Sequence, residues 1–248
     1  MNADMPDPAR LAANWADVRR RVDEACRTAG REPAEVGILP VSKTFGPELI
    51  RAAVALGMRR FGENKAQELR DKSAPLADCG IAWVMIGHLQ TNKAKDVARL
   101  ASEVQSLDRL ELAQALDRRL QHEGRAIDVL VQVKTSSEPS KYGLPPEQLA
   151  GFLDTLRGYD TLRVRGLMTL AIHSTDPAEV RGCFRRLREL RDREVTRGHA
   201  VSRLSMGMSG DFPLAIAEGA TEVRIGTAIF GARPYPDEYY WPEASSGA

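Results

Sequence analysis

The chain has 248 residues, 43% of them hydrophobic, which is enough to bury one large core or two small ones. Its 35 basic and 34 acidic residues are interspersed, so the sequence has no continuous basic stripe. Nucleic acid is therefore disfavoured as a partner. Three widely spaced cysteines without a CxxC pair, the lack of an apolar leader and the lack of a membrane-length apolar run predict a cytoplasmic protein. It should have free thiols, no zinc site and no membrane partner.

Apolar runs rich in β-branched residues alternate with amphipathic segments along the chain. A 3.6-residue apolar period first predicts a helix over residues 8–30. Strands are then predicted at 36–43, 60–62, 81–87, 103–107, 127–133, 162–170, 203–206 and 222–225. Helices are predicted at 47–56, from the second strand through 72, at 92–100, from an N-cap at Asp108 to 123, at 146–157, from 177 and at 212–219.

This count predicts a single (β/α)8 TIM barrel with an extra N-terminal helix. An open doubly wound sheet would need fewer strands or a change of composition between two halves, and no linker divides the chain. We therefore expect one domain over residues 1–248, with frayed tails at 1–7 and 243–248.

Lys43 ends the first predicted strand of a chain that has 7 lysines and 28 arginines. Arginine cannot lose its proton in proteins, whereas a desolvated lysine can act as an amine nucleophile. A lone lysine at a strand end most often reaches water, so the groups predicted to lie around it decide its interpretation.

Barrels of this kind carry their reactive groups after the C-terminal ends of the strands and often bind phosphate after strands seven and eight. Small residues, hydroxyls and glycines follow both of these strands here. The candidate phosphate ligands are Ser205, Met206, Ser209, Gly226 and Thr227. Each loop by itself could be an ordinary glycine-bearing turn. Two such loops opposite Lys43 favour an anion site.

An amine, a phosphate site and Arg224 at the end of strand eight together suggest pyridoxal phosphate. Its aldehyde can form a Schiff base with Lys43, and the protein must set the protonation of its pyridine nitrogen. An arginine partner keeps that nitrogen neutral, which makes the ring a weaker electron sink than an aspartate partner would.

Several segments resemble the pyridoxal phosphate homeostasis (YggS/PROSC) family, whose fold is similar to the N-terminal barrel of alanine racemase. These segments are VSKT at 41–44, FGEN at 61–64, IGHLQTNK at 86–93, SKYG at 140–143, GLM at 166–168, and the stretches 204–209 and 223–231. They span the chain from the first predicted strand to the last.

The resemblance implies that pyridoxal phosphate is held as a Schiff base on Lys43. The other contacts that it implies are Asn64 near the ring, Arg224 at the pyridine nitrogen, and Ser209, Gly226 and Thr227 at the phosphate. It also implies a monomer that acts in intracellular vitamin B6 and amino-acid homeostasis, with apo-enzymes that depend on pyridoxal phosphate as partners.

Four further residues in or near these segments have two interpretations. Lys65, Lys93 and Lys141 are either second pyridoxal-binding lysines or solvated residues on the rim of the barrel. His173 lies in a loop where relatives carry a proline, and it either touches the cofactor or lies on the surface.

Two functions from different classes fit these residues. Racemisation by two bases needs a second acid/base group opposite the lysine, which alanine racemase takes from a separate domain. We see no such domain after Thr227 and expect a cofactor carrier and not an enzyme. The alternatives are a pyridoxal-dependent enzyme of low activity, such as an amino-acid racemase, and an interaction protein that keeps the barrel as a scaffold.

Overall fold

The computed structural model describes residues 8–138 and 141–232. Within these ranges, eight parallel strands form one sheet in the order β1-β8-β7-β6-β5-β4-β3-β2. They are β1 (Gly37–Pro40), β2 (Arg60–Glu63), β3 (Ala82–Met85), β4 (Ala101–Leu107), β5 (Ile127–Gln132), β6 (Leu162–Met168), β7 (Arg203–Ser205) and β8 (Glu222–Ile225). A bridge between Val41 and Gly62 joins β1 to β2. The sheet therefore closes on itself, and the predicted (β/α)8 barrel is confirmed.

Helices follow the strands and cover the outside of the barrel. The α-helices in the described ranges are α1 (Pro8–Thr28), α2 (Pro47–Ala55), α3 (Ala66–Ser73), α4 (Ala94–Leu100), α5 (Leu110–Glu123), α6 (Leu149–Leu156), α7 (Pro177–Thr196), α8 (Phe212–Ala217) and α9 (Thr227–Phe230). The helices predicted at 92–100 and 146–157 each begin with a 3-10 turn, at Thr91–Lys93 and Pro146–Gln148. Within these ranges, no helix is long and apolar enough to cross a bilayer.

The extra N-terminal helix, α1, packs against α8 and α9. Its buried stripe is Leu11, Val18, Val22 and Cys26, at the spacing that places side chains on one helical face. The Asn14 side chain donates to the Ile229 carbonyl at 3.0 Å. α1 thus supports the short helix that follows the last strand.

Side chains alternate between the two faces of each strand, which separates two environments. On β8, Val223 and Ile225 belong to the apolar layer between the sheet and the helices. Glu222 and Arg224 lie on the other face, where they bind the side chains of other strands inside the barrel. The barrel interior is therefore partly polar. We call these interior side chains the polar column, and it leads to the mouth, the end of the barrel at which the strands have their C-termini.

The N-cap predicted at Asp108 is wrong. α5 begins at Leu110, and the residue before it, Arg109, is extended, with φ −159° and ψ 155°. This extra extended residue moves Asp108 out of reach of the first turn. Its carboxylate instead accepts a hydrogen bond from Arg109 Nη1 at 2.6 Å and lies 3.5 Å from His88 Nδ1. The frayed tails predicted at 1–7 and 243–248 lie outside the described residues.

Candidate functional site

Lys43 lies just beyond β1, at the mouth formed by the C-terminal ends of the strands, and is half-buried. The next residue, Thr44, has a φ of +73°, the one positive φ at a non-glycine position among the described residues. Left-handed backbone at a threonine costs about 1–3 kcal/mol and persists only where surrounding contacts hold it. The backbone is thus strained directly beside the predicted nucleophile.

The two loops predicted to bind phosphate meet in space. The Thr227 hydroxyl donates to the Ser209 hydroxyl at 3.3 Å, although the two residues come from different loops. Gly226 packs closely against the strand that leads to Lys43, since a Cβ on it would lie 3.2 Å from the Val41 carbonyl oxygen. The loops after β7 and β8 therefore share one face of the mouth with the β1 end.

A ring contact ties the loop after Lys43 to the same place. The Phe45 and Phe230 ring centroids are 5.3 Å apart, which joins the segment before α2 to the end of α9. Aromatic pairs at this separation and tilt are favourable beyond the area they bury.

Gly207 gives the loop after β7 its shape. Its φ is +93°, and a Cβ there would lie 2.6 Å from the Ala215 Cβ and 3.0 Å from the Phe212 Cα. Its carbonyl accepts a hydrogen bond from the Arg224 amide at 2.9 Å. Only glycine fits this position without a shift of α8, so the loop is held tightly over the end of β8.

Arg224 is buried inside the barrel, with 4% of its surface exposed. Its Nη1 donates to the Ser205 hydroxyl and its Nη2 to the Thr169 carbonyl, both at 2.8 Å. Burial lowers the pKa of Arg224 to about 10, against the nearby carboxylates of Glu222 and Asp211, which raise it. The side chain is still a cation at neutral pH, held rigidly by two acceptors.

A hydrogen-bonded chain continues below Arg224. The Ser205 hydroxyl donates to Gln105 Oε1 at 2.7 Å, and the Gln105 amide nitrogen donates to both Glu103 and Glu222. Two buried carboxylates are thus placed under the site. Arg60 and Arg203 each form ion pairs with both of these glutamates, which balances their charge.

This hydrogen-bonded chain was not predicted from the sequence. Its signal is present as polar residues two apart on predicted strands, the spacing that places side chains on one face of a strand. These pairs are Glu103 with Gln105, Arg203 with Ser205, and Glu222 with Arg224.

Asn64 follows β2 and is half-buried at the mouth. A Cβ on Gly87, which follows β3, would lie 2.1 Å from the Asn64 carbonyl oxygen, so the two backbones are in direct contact. Glycine is required there, and it fixes the backbone position of Asn64. Its contact with a cofactor ring stays a prediction.

Ser205 and Met206 are less suited to direct contact with a phosphate than Ser209 and Thr227. The Ser205 side chain is fully buried and engaged by Arg224 and Gln105. Met206 packs in the apolar layer, and its amide donates to the Glu222 carbonyl at 3.1 Å. Ser205 therefore acts behind Arg224, and a cofactor contact for either residue stays a prediction.

The remaining candidates lie on the rim. Lys65 and Lys93 are exposed, and Lys141 forms an ion pair with Glu138 at 3.5 Å. His173 is exposed, and its amide donates to the same glutamate. Exposure of Lys65, Lys93 and His173 fits their surface interpretation, whereas Lys141 is half-buried, and a cofactor contact for any of the four stays a prediction.

His88 forms a second rim feature. Its ring stacks on Tyr142, with the centroids 4.0 Å apart and the planes 17° apart. With Asp108 beside it, it forms a pair of ionisable side chains at the ends of β3 and β4.

Known proteins match this chain over most of its length. The family model described as "Alanine racemase, N-terminal domain" matches residues 7–234. A pyridoxal phosphate homeostasis protein of Pseudomonas aeruginosa is 44% identical over 225 residues, covering 91% of this chain and 96% of that protein. One of Aquifex aeolicus is 42% identical over 220 residues, covering 88% and 96%.

A solved structure agrees with these matches. PipY of Synechococcus elongatus, determined with pyridoxal phosphate bound, has a TM-score of 0.79 to this chain and 35% identity. The match covers 89% of this chain and all of PipY.

Proposed function

Since the chain belongs to the family of pyridoxal phosphate homeostasis proteins, we propose that it binds pyridoxal 5'-phosphate at the mouth of its barrel and serves in pyridoxal phosphate homeostasis. The observation that carries the proposal is the meeting of Ser209 and Thr227, whose hydroxyl oxygens lie 3.3 Å apart. Two loops distant in sequence provide adjacent hydroxyls beside the strand that leads to Lys43.

The donor set at this point fits a phosphate. The Ser209 and Thr227 hydroxyls are neutral donors, and the N–H groups of Thr227 and Ala228, the first two residues of α9, precede the hydrogen bonds of that helix. Such groups at the ends of strands seven and eight are common phosphate ligands in this fold. Gly226 carries no side chain that would keep an anion from the backbone.

Arg224 fits the pyridine nitrogen. A guanidinium donates hydrogen bonds and cannot accept one, so it stabilises the nitrogen in its unprotonated form. The Ser205 and Thr169 contacts fix the orientation of the guanidinium, and burial strengthens its electrostatic effect.

Lys43 is the group that holds the cofactor covalently. Bound pyridoxal phosphate supplies an aldehyde, whose carbon forms a C=N bond to the Lys43 nitrogen as one water molecule leaves. For this, Lys43 must give up a proton, because only the neutral amine can attack the aldehyde carbon.

These features favour a carrier. With Arg224 at the ring nitrogen, the ring withdraws electrons weakly, so amino-acid chemistry at the site is slow. The protein sequesters the reactive aldehyde in the cytoplasm as a monomer and passes it to apo-enzymes, which supports vitamin B6 and amino-acid homeostasis.

A pyridoxal-dependent enzyme of low activity, such as an amino-acid racemase, is the second candidate. It needs an acid/base group in addition to Lys43. His88, 3.5 Å from Asp108 at the rim, is a side chain of this kind. Incubation of the loaded protein with L-amino acids in D2O separates the two functions. The carrier predicts no Cα deuteration at turnover rates, and rapid exchange would favour the enzyme.

Absorption spectra test binding through Lys43. The protein loaded with pyridoxal phosphate should absorb in the near-visible range, and Lys43→Ala should lose this band. Lys95→Ala, which removes an exposed lysine from α4, is the matched control and should keep it. A folded Lys43→Ala protein with an unchanged spectrum would contradict the proposal.

A further inference from the structure

A buried ionic cluster lies beneath the loop that carries Lys43. We call Glu63, Glu68 and Lys72 the Lys72 cluster. The Lys72 ammonium donates to Glu63 Oε1 and to Glu68 Oε2, both at 2.8 Å. Lys72 is 7% exposed, and Glu63 is fully buried. The mouth chemistry described above does not use any of these charges.

The Lys72 cluster binds the chain on both sides of Lys43. Before it, the Ser42 carbonyl accepts a hydrogen bond from Lys72 Nζ at 2.9 Å, and the Ser42 hydroxyl donates to Glu63 at 2.6 Å. After it, the Thr44 amide donates to Glu68 Oε2 at 2.7 Å. Both neighbours of Lys43 are therefore held by the same three side chains.

Stability alone does not account for such a cluster. A buried ion pair contributes little net stability, because the loss of hydration offsets the attraction. The contact from Glu68 falls on Thr44, the residue whose left-handed backbone needs to be held. Thus one hydrogen bond of the cluster holds the strained residue after Lys43, and two more hold Ser42 before it.

We propose that Glu63, Glu68 and Lys72 are positioning residues for Lys43. They fix the peptide groups before and after it, so that its amine leaves the end of β1 in one orientation. A group held in place in advance binds its ligand without the entropy loss of ordering the loop. This inference rests on the proposed covalent role of Lys43, since it states what holds that residue in place.

Two variants test the inference. Glu68→Ala removes the acceptor of the Thr44 amide from a half-buried position. The double variant Glu63→Gln with Lys72→Met removes the Lys72 donors without leaving a buried, charged Glu63 unpaired, and its melting temperature shows whether the fold is retained. The control is Glu218→Gln. Glu218 is also a buried, ion-paired glutamate, but it follows α8 and precedes β8, at the end of the barrel opposite to the mouth.

Three quantities are measured for each protein. The first is the melting temperature without cofactor. The second is the dissociation constant for pyridoxal phosphate, from absorption titrations. The third is the rate at which acetic anhydride labels Lys43 relative to exposed Lys95 in the cofactor-free protein, mapped by mass spectrometry.

We expect both cluster variants to weaken pyridoxal phosphate binding roughly tenfold or more and to change the relative labelling of Lys43. Glu218→Gln should change the dissociation constant less than about twofold, whatever its melting temperature. Unchanged affinity and labelling in both cluster variants, with only a lower melting temperature, would overturn the inference. If the wild-type protein does not bind the cofactor through Lys43, the proposed function fails, and the labelling rates alone decide whether the cluster positions this amine.

Discussion

The Arg224 guanidinium and the Ser205 hydroxyl are joined by a hydrogen bond of 2.8 Å inside the barrel, between neighbouring strands. The same guanidinium donates to the Thr169 carbonyl at 2.8 Å. Three strand ends are thereby connected by one side chain. The polar column in the barrel is thus both a structural support and the base of the proposed site.

Arg224→Lys should destabilise the cofactor-free protein by about 1–3 kcal/mol. A lysine lacks the planar fork that reaches both acceptors, so Ser205 or Thr169 loses its donor in a buried place. Urea unfolding measures this loss. The control, Arg185→Lys, alters a half-exposed side chain of α7 and should stay within about 0.5 kcal/mol. Equal stabilities for the two variants would contradict the structural role of the two hydrogen bonds from the Arg224 guanidinium.

Ser209→Ala and Thr227→Val should weaken binding of pyridoxal phosphate but not of pyridoxal, which has no phosphate. Each removes one hydroxyl donor to an anion, a contact that contributes about 1.5–3 kcal/mol, or roughly tenfold or more in affinity. Titration with both compounds measures the difference. Ser202→Ala, an exposed position before β7, is the control for loss of a hydroxyl. A parallel loss of affinity for both compounds would place the phosphate elsewhere.

Gly207→Ala should be strongly destabilising. The added Cβ meets the Ala215 side chain at 2.6 Å, and alanine is strained at a φ of +93°. Overpacking of this kind costs about 1–3 kcal/mol. Gly210→Ala, in the same loop but with no heavy atom within 4 Å of the new Cβ, is the matched control. The melting temperature should be lower for Gly207→Ala than for Gly210→Ala. Equal melting temperatures would show that the loop accommodates the added methyl group.

The stability of the protein should depend on Glu63 between about pH 4.5 and 7. Burial raises the pKa of Glu63 to about 7, against the Lys72 ammonium and the Ser42 hydroxyl, which lower it. Because the folded state then holds a proton that the unfolded state has released, the free energy of unfolding falls as the pH rises through this window. The fall is roughly 3 kcal/mol.

Glu63→Gln removes this dependence. The wild-type free energy of unfolding, minus that of the variant, should therefore decrease from pH 4.5 to pH 7 and then level off. Denaturant unfolding at several pH values measures the difference. A difference that rises over this range would mean that the Lys72 ammonium dominates and that the pKa of Glu63 is lowered.

The sequence predicts the barrel because strands and helices have different apolar periods and because eight strands alternate with helices along one domain-sized chain. It predicts that Lys43, Arg224 and the loops after β7 and β8 belong to one site, because the topology of this fold brings strand ends together. Each of these predictions uses local pattern plus one rule of chain geometry.

Other features depend on contacts that no local pattern contains. Gln105 and Ser205 are 100 residues apart and meet only inside the closed barrel. Lys72 and Glu68 have the i, i+4 spacing of an ordinary surface pair on a helix, and only the closure of β1 onto β2 buries them beneath Ser42. At Asp108, a single extended residue shifts the helix start and makes the cap prediction wrong.

The most direct test of the account is borohydride reduction of the protein loaded with pyridoxal phosphate, followed by digestion and mass spectrometry of the peptides. Reduction converts a C=N bond into a stable C–N bond and marks the lysine that held the cofactor. We expect one modified peptide, with the pyridoxyl phosphate group on Lys43. Modification at Lys65, Lys93 or Lys141 with Lys43 unmodified, or no modification of a loaded protein, would contradict it.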